Sequence, residues 1–279
     1  MIRIAEARRV ERFVERETGL FTCVNPCEHV EPISSSALFL GLSSQECRDI
    51  CSFARVKTYF RNEILFRQGE PVCKLVWIQT GRVKLTHVSA DGHEVLLWVK
   101  GTGEAADLHG NQPECRHSCS ARAMGRCQAL AWDWSSFRAL AARYPQINAN
   151  IATIMAARLH ELEERFCEIA TKDVADRLAL ALLRLADSVG IRRPSGLEVD
   201  LSRQELAELT GTTQHTVSRT ISSWAHAGLI VTRRGSVVIP DSQGLRDFRH
   251  PERGGLSLCR WTRDRSAQRG SYSPSATEA

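Results

Sequence analysis

Between residues 53 and 137, apolar and polar positions alternate in short runs, with Gly69, Gly81, Gly92 and Gly103 between them. Period-two alternation is the pattern of strands with one buried face, and a glycine every 11–12 residues marks successive hairpin turns. The pattern predicts a small antiparallel barrel or jelly roll. The period then changes. From 145 to 171, Ile147, Ile151, Ile154, Leu159, Leu162, Phe166 and Ile169 recur at helical steps, which predicts one long helix. That stripe can pack on the barrel or pair with a second copy as a short coiled coil. Asp173 is placed to cap another helix, to about Val189, with Val174, Leu178, Leu182 and Leu185 inward. A basic loop from Gly190 to Gly196 follows.

The last patterned stretch, Leu201 to Asp241, predicts two short helices, a tight turn and a hairpin. Ser202 and Glu205 form a capping box, and Leu206 and Leu209 supply the first helix's apolar face. Gly211 sits where a chain leaving a helix needs a left-handed conformation. Thr213 caps the second helix, whose inner positions are Val217, Ile221 and Trp224 and which ends at Gly228. Its opposite face carries Gln214, His215, Ser218 and Arg219. Leu229–Thr232 and Ser236–Pro240 are β-rich runs joined through Arg233, Arg234 and Gly235. From pattern alone this is either a helical hairpin with a polar surface or a recognition helix followed by a wing carrying two phosphate-seeking cations.

A chain of 279 residues allows two domains and a sizeable core. No run approaches the ~18–20 apolar residues of a membrane span. The N-terminal segment mixes Arg and Glu and has neither the apolar stretch of a signal peptide nor the acid-poor character of a transit peptide. These features predict a cytoplasmic protein with no membrane partner. Net charge is only +5, and residues 173–248 hold nine Arg against nine Asp or Glu, so bulk charge does not argue for nucleic acid. Nine of the ten cysteines lie between Cys23 and Cys167, and 173–248 has none. That asymmetry points to metal or redox chemistry in the N-terminal half.

The run RQELAELTGTT-x-x-TVSR, with the hairpin after it, resembles the winged helix-turn-helix of the CRP/FNR family of bacterial transcription regulators. Phe66–Glu70, Gly81–Leu85 and Asp91–Glu94 resemble turns of that family's cyclic-nucleotide-binding β-roll. The resemblance implies an α+β chain. Its parts are a cysteine-bearing arm (1–37), an antiparallel, jelly-roll-like β-roll sensor (38–144), a long dimerisation helix (145–171) and a winged helix-turn-helix (172–248). Residues 249–279, rich in Ser, Gly and Arg, are expected as a disordered tail. The implied partners are double-stranded operator DNA, a second copy of the chain and RNA polymerase. The positions expected at DNA are Ser202, Arg203, Gln204, Thr212, Thr213, Gln214, His215, Thr216, Ser218, Arg219, Arg233 and Arg234.

The signal stays open. Members that bind cyclic AMP grip its phosphate with an Arg-Ser pair, and His117-Ser118 stands at that place here, which argues against cyclic AMP. The oxygen-sensing FNR branch carries cysteines ahead of the roll and one inside it, which would make Cys23, Cys27 and Cys127 ligands of an iron–sulfur cluster. The Cys-x3-Cys spacing departs from that branch, and a fourth ligand would come from Cys47, Cys51, Cys115 or Cys119. Zinc on Cys115, His117, Cys119 and Cys127 is a variant. Haem is another, since His109 falls near the haem-ligating histidine of the carbon-monoxide-sensing branch. A metal-free thiol switch and a small-metabolite effector are further alternatives. Cys51, Cys73 and Cys167 are expected in the core. A cupin-like metalloenzyme built on His87, His93, Glu94 and His109 is disfavoured: the sequence has no His-x-His, and such an enzyme leaves the winged helix unexplained.

Overall fold

The computed structural model describes residues 22–23, 33–108 and 115–247. The N-terminal part is a roll of two antiparallel sheets. One contains β1 (Thr22–Cys23), β2 (Arg55–Tyr59), β8 (Cys127–Asp133) and β4 (Lys74–Thr80), in that order. The other runs β3 (Ile64–Phe66), β7 (Ser120–Ala123), β5 (Val83–Val88), β6 (Glu94–Lys100). Strand β4 is covered on both faces, which explains its unbroken apolar run. Leu75 and Trp77 face a core under α1 (Ser44–Ser52) and α2 (Trp134–Arg143), while Val76 and Ile78 point into the roll. At Gly81 (φ +90°) a Cβ would lie 2.6 Å from the Arg126 carbonyl oxygen, so only glycine lets this turn approach the β7–β8 hairpin.

Helix α3 (Gln146–Thr171) has 26 residues and is about 39 Å long. Its apolar stripe divides between two surroundings. Ile147 is buried in the core under the roll, and Ile151 and Ile154 pack against it. Beyond them, Met155, Leu159, Leu162, Phe166 and Ile169 are exposed, Leu159 by 59% and Phe166 by 73%. No helix among the described residues is long and apolar enough to cross a membrane.

The C-terminal part comprises α4 (Val174–Val189), α5 (Arg203–Thr210), α6 (Gln214–His226), α7 (Ser242–Asp247) and a sheet. The sheet order is β11 (Val231–Arg233), β12 (Ser236–Ile239), β10 (Gly196–Val199), β9 (Ile191–Arg193). Its core contains Leu178, Leu182, Leu206, Val217, Ile221, Trp224 and Val237, and also Leu96 and Val99 from β6. The two parts therefore share one apolar cluster. Two ion pairs flank the junction, Arg82–Asp200 at 2.7 Å and Lys84–Glu205 at 2.6 Å.

Glu205 links this junction to the capping box. Burial alone would raise its carboxyl, but hydrogen bonds from Lys84 and Ser202 outweigh that and hold it below the ordinary 4.5. A carboxyl lowered on folding stabilises the fold above its unfolded pKa, and that contribution is lost as pH falls through the folded value. The melting-temperature gap between wild type and Glu205→Gln is thus expected to be full at pH 7 and to shrink below about pH 4.5. A gap independent of pH would remove Glu205 as the acid-sensitive link.

Candidate nucleic-acid interface

The Ser202 hydroxyl accepts from the Glu205 N–H at 3.2 Å, and the Glu205 carboxylate accepts from the Ser202 N–H at 2.9 Å, completing the box that starts α5. Gly211 ends α5 with φ +65°, as the turn requires. Thr213 accepts from the Thr216 N–H and starts α6. Val217, Ile221 and Trp224 are buried, so the helix rotation is fixed and the opposite face is presented outward. On that face Gln214, His215 and Arg219 are exposed and Ser218 is half-buried. Ser222 and Ser223 extend it one turn further and, with His215, Ser218 and Arg219, line a surface recess. The apolar pattern of the helix does not point to them, although their three- and four-residue spacing from Arg219 marks them as neighbours.

The other expected contacts differ in availability. Thr213 is exposed and Thr216 half-buried, and their hydroxyls are hydrogen-bonded to each other at 2.9 Å. Exposed Gln204 donates to Glu208. Thr212 is half-buried and donates its N–H to the Ala207 carbonyl. Arg203 is half-buried, and burial pushes its guanidinium below the usual value. In the wing, Arg234 is exposed at the turn, while Arg233 lies against Glu198 and Ser195.

Inside the roll, the position expected to lack a phosphate arginine holds buried His117. Its ring stacks on Phe66, with centroids 3.8 Å apart, and its Nδ1 lies 3.0 Å from the Asp107 carboxylate. Helix α3 closes this region. Arg158 donates to the Ala105 carbonyl at 3.0 Å, and its buried Nε–H has no acceptor among the described residues. Charged side chains follow at helical steps along the same face. Glu161 is pushed up by burial, although Lys100, Arg165 and Arg184 are near. Arg165 donates to the Leu97 carbonyl and lies over the Trp98 ring. Glu168 pairs with Arg184 of α4 through two hydrogen bonds, at 2.6 and 3.0 Å. Arg177 of α4 then donates to the Thr210 carbonyl at the end of α5.

The metal readings meet a different outcome. No three His, Cys, Asp or Glu among the described residues stand together as a metal site requires. The residues of the zinc reading, Cys115, His117, Cys119 and Cys127, form no such group. His117 is turned to Phe66 and Asp107, and Cys119 and Cys127 are buried in the apolar interior. Burial pushes the Cys119 thiol up to about 12, helped by Asp107, and the Cys127 thiol up to about 11. Strand register places Cys23 opposite Arg55 and Cys127 opposite Tyr59, four positions further along β2, or roughly 13 Å. No set of cysteines that could hold a cluster is gathered among the described residues. Cys27 and His109 lie outside the described residues. Cys47 and Cys51 are buried under the roll, with Cys51 pushed up to about 12 by burial. Of the expected core cysteines, Cys73 is half-buried and Cys167 is exposed on α3. His87 and His93, named for a metalloenzyme, lie on the β5–β6 hairpin, where His87 is half-buried with its Nδ1 2.8 Å from the Ser118 carbonyl oxygen and His93 is exposed.

A β-roll joined by a long helix to a winged helix-turn-helix defines a DNA-binding transcription regulator. The Crp-like helix-turn-helix domain matches residues 176–248, and the cyclic nucleotide-binding domain matches residues 56–144. Over 218 residues the chain is 29% identical to the CRP-like cAMP-activated global transcriptional regulator of Mycobacterium tuberculosis, covering 77% of this chain and 97% of that protein. It is 28% identical over 216 residues to the cyclic AMP receptor protein of Thermus thermophilus, covering 77% and 98%. The c-di-GMP responsive global regulator CLP of Xanthomonas campestris has the same fold, with a TM-score of 0.62 at 23% identity over 71% of this chain and 100% of that one. FixK2 of Bradyrhizobium japonicum also shares it, with a TM-score of 0.62 at 21% identity over 70% and 96%. The chain belongs to the CRP/FNR family and is a CRP-type DNA-binding transcription regulator, not an enzyme.

Proposed function

We propose that the protein acts in the cytoplasm as a homodimer on two-fold symmetric operator DNA, with α6 in the major groove and the wing on the backbone. The observation that carries the reading is the group Gln214, His215, Ser218 and Arg219, presented on the outward face of a helix whose inner face is fixed by Trp224. Arg219 reads guanine, Ser218 supports it, and Gln214 and His215 tune neighbouring positions. Where family members often carry Glu, His215 replaces an acceptor for cytosine, so the operator departs from the family pattern. A mobility shift with excess nonspecific competitor tests the reading. A complex that survives competition supports it, and complete displacement contradicts it.

Dimerisation follows from the two faces of α3. Met155, Leu159, Leu162, Phe166 and Ile169 are spaced 4, 3, 4, 3, an a/d seam, and they are exposed. Arg158, Glu161 and Arg165, on another face, are largely withdrawn from water against the chain's own body. A monomer that buries its charged face and exposes its apolar one is unfavourable, and a second copy on the seam removes the conflict.

The signal is read where Asp107, His117 and Arg158 meet, and the charged face of α3 carries it to α4 and α5. The unpartnered Arg158 Nε–H favours an effector with a hydrogen-bond acceptor there. The M. tuberculosis and T. thermophilus relatives are described by cyclic AMP. Here Asp107, paired with His117 near the expected phosphate position, opposes a phosphodiester. Calorimetric titration with cyclic AMP is expected to give no binding heat at micromolar protein, and a saturable isotherm would overturn this. Protein purified without oxygen separates the other signals. An air-bleached visible band would return sensing to a cluster through Cys23 and Cys27, and a Soret band would assign it to haem and His109. A colourless protein supports the acceptor-bearing effector.

A further inference from the structure

Glu198 lies on the face of the C-terminal sheet that carries the wing, and it is only 8% exposed. Ser236 of β12 donates its hydroxyl to one carboxylate oxygen at 2.7 Å. Arg193 of β9 donates its Nε–H to the other at 2.8 Å. Arg233, the last residue of β11, is the third partner. Its Nη1 lies 3.9 Å from the carboxylate, and its Nη2 donates to the Ser195 hydroxyl at 3.3 Å. Register explains the meeting. Arg233 pairs with Ser236, and Glu198 pairs with Val238, two residues along β12 and on the same face. The neighbouring Arg234 is exposed at the turn.

We propose that Glu198 competes with DNA phosphate for Arg233: its carboxylate holds the wing arginine in the free protein, and a backbone phosphate takes it over in the complex. This rests on the wing being a phosphate contact. Distance decides which partner lets go. The 3.9 Å pair is too long for a hydrogen bond, whereas those from Ser236 and Arg193 are short. When Arg233 leaves, Glu198 keeps both short bonds, so no buried charge is stranded. Those bonds, Ser236 first and Arg193 second, also hold the carboxyl below its ordinary value and keep it charged at neutral pH. The side chain of Arg233 is 48% exposed, so a phosphate can reach it, and two phosphate oxygens match its fork better than one distant carboxylate does. The two wing arginines are therefore unequal. Arg234 attracts the duplex from a distance, and Arg233 engages only once the backbone is within reach.

The test is fluorescence anisotropy with a labelled duplex of arbitrary sequence, over a range of salt, using the full chain. Arg234→Ala is expected to weaken binding and flatten the salt dependence, and Arg233→Ala is expected to do less. Glu198→Gln is expected to tighten binding by about two- to fivefold, the equivalent of a half-exposed ion pair. The gain is expected to vanish in the Glu198→Gln/Arg233→Ala double variant. Glu198→Asp, which keeps net charge but withdraws the carboxylate, is also expected to tighten binding, and it serves if the Gln variant melts early. Unchanged affinity in both Glu198 variants, or a gain that survives loss of Arg233, overturns the competition alone. If Arg234→Ala changes neither affinity nor salt dependence, the wing reading fails and the competition fails with it.

Discussion

Replacing Arg219 with alanine is expected to weaken operator binding by about 1–3 kcal/mol, with the loss concentrated at one base pair of each half-site. Arg219 lies on the outward face of α6, one turn after His215 and next to Ser218, and it is exposed. A guanidinium there can present two parallel N–H donors to the O6 and N7 acceptors of guanine, a pattern no other base pair offers in that form. Lysine keeps the charge but not the fork, so Arg219→Lys should recover nonspecific affinity and little of the discrimination. Dissociation constants on the operator and its single-base variants check this. A loss spread evenly over all sequences would make Arg219 a backbone contact and take base reading away from this position.

The second large effect is on the α3 seam. Leu159→Asp with Phe166→Asp is expected to yield a folded monomer whose operator affinity falls by roughly 10²–10⁴-fold, the advantage that linking two half-site readers confers. Neither side chain belongs to a core cluster of the single chain, so the substitutions remove little packing within it. They place like charges in the seam where two copies would meet. Light scattering gives the mass and circular dichroism the fold. A variant that stays dimeric, or a monomer that binds the operator as tightly as wild type, would refute the seam.

The helix boundaries of the C-terminal part were legible because each rests on a local rule. The Ser202–Glu205 box, the αL glycine Gly211 and the Thr213 cap need only neighbours in sequence. The β-roll was legible through its glycine spacing. Pattern also predicted the long α3, but not that its stripe would split, since Ile147 meets the core under the roll while Phe166 does not. The burial of the cysteines was not legible, for the opposite reason. Ligand spacing along the chain says nothing about which thiols the sheets bury, and Cys119 and Cys127 turned out to be interior apolar contacts. His117 could be aligned to a phosphate arginine, but its stacking on Phe66 and pairing with Asp107 are tertiary facts. Glu198 was invisible because its partners come from three different strands.

Selection of bound sequences from a random duplex pool, using the full-length protein, tests the central claim most directly. An inverted repeat is predicted, with half-sites about one helical turn apart and guanine fixed at the position whose preference is lost in Arg219→Ala. A pool that yields no enriched sequence, or a single half-site without a symmetric mate, would contradict a dimer reading operator DNA through α6.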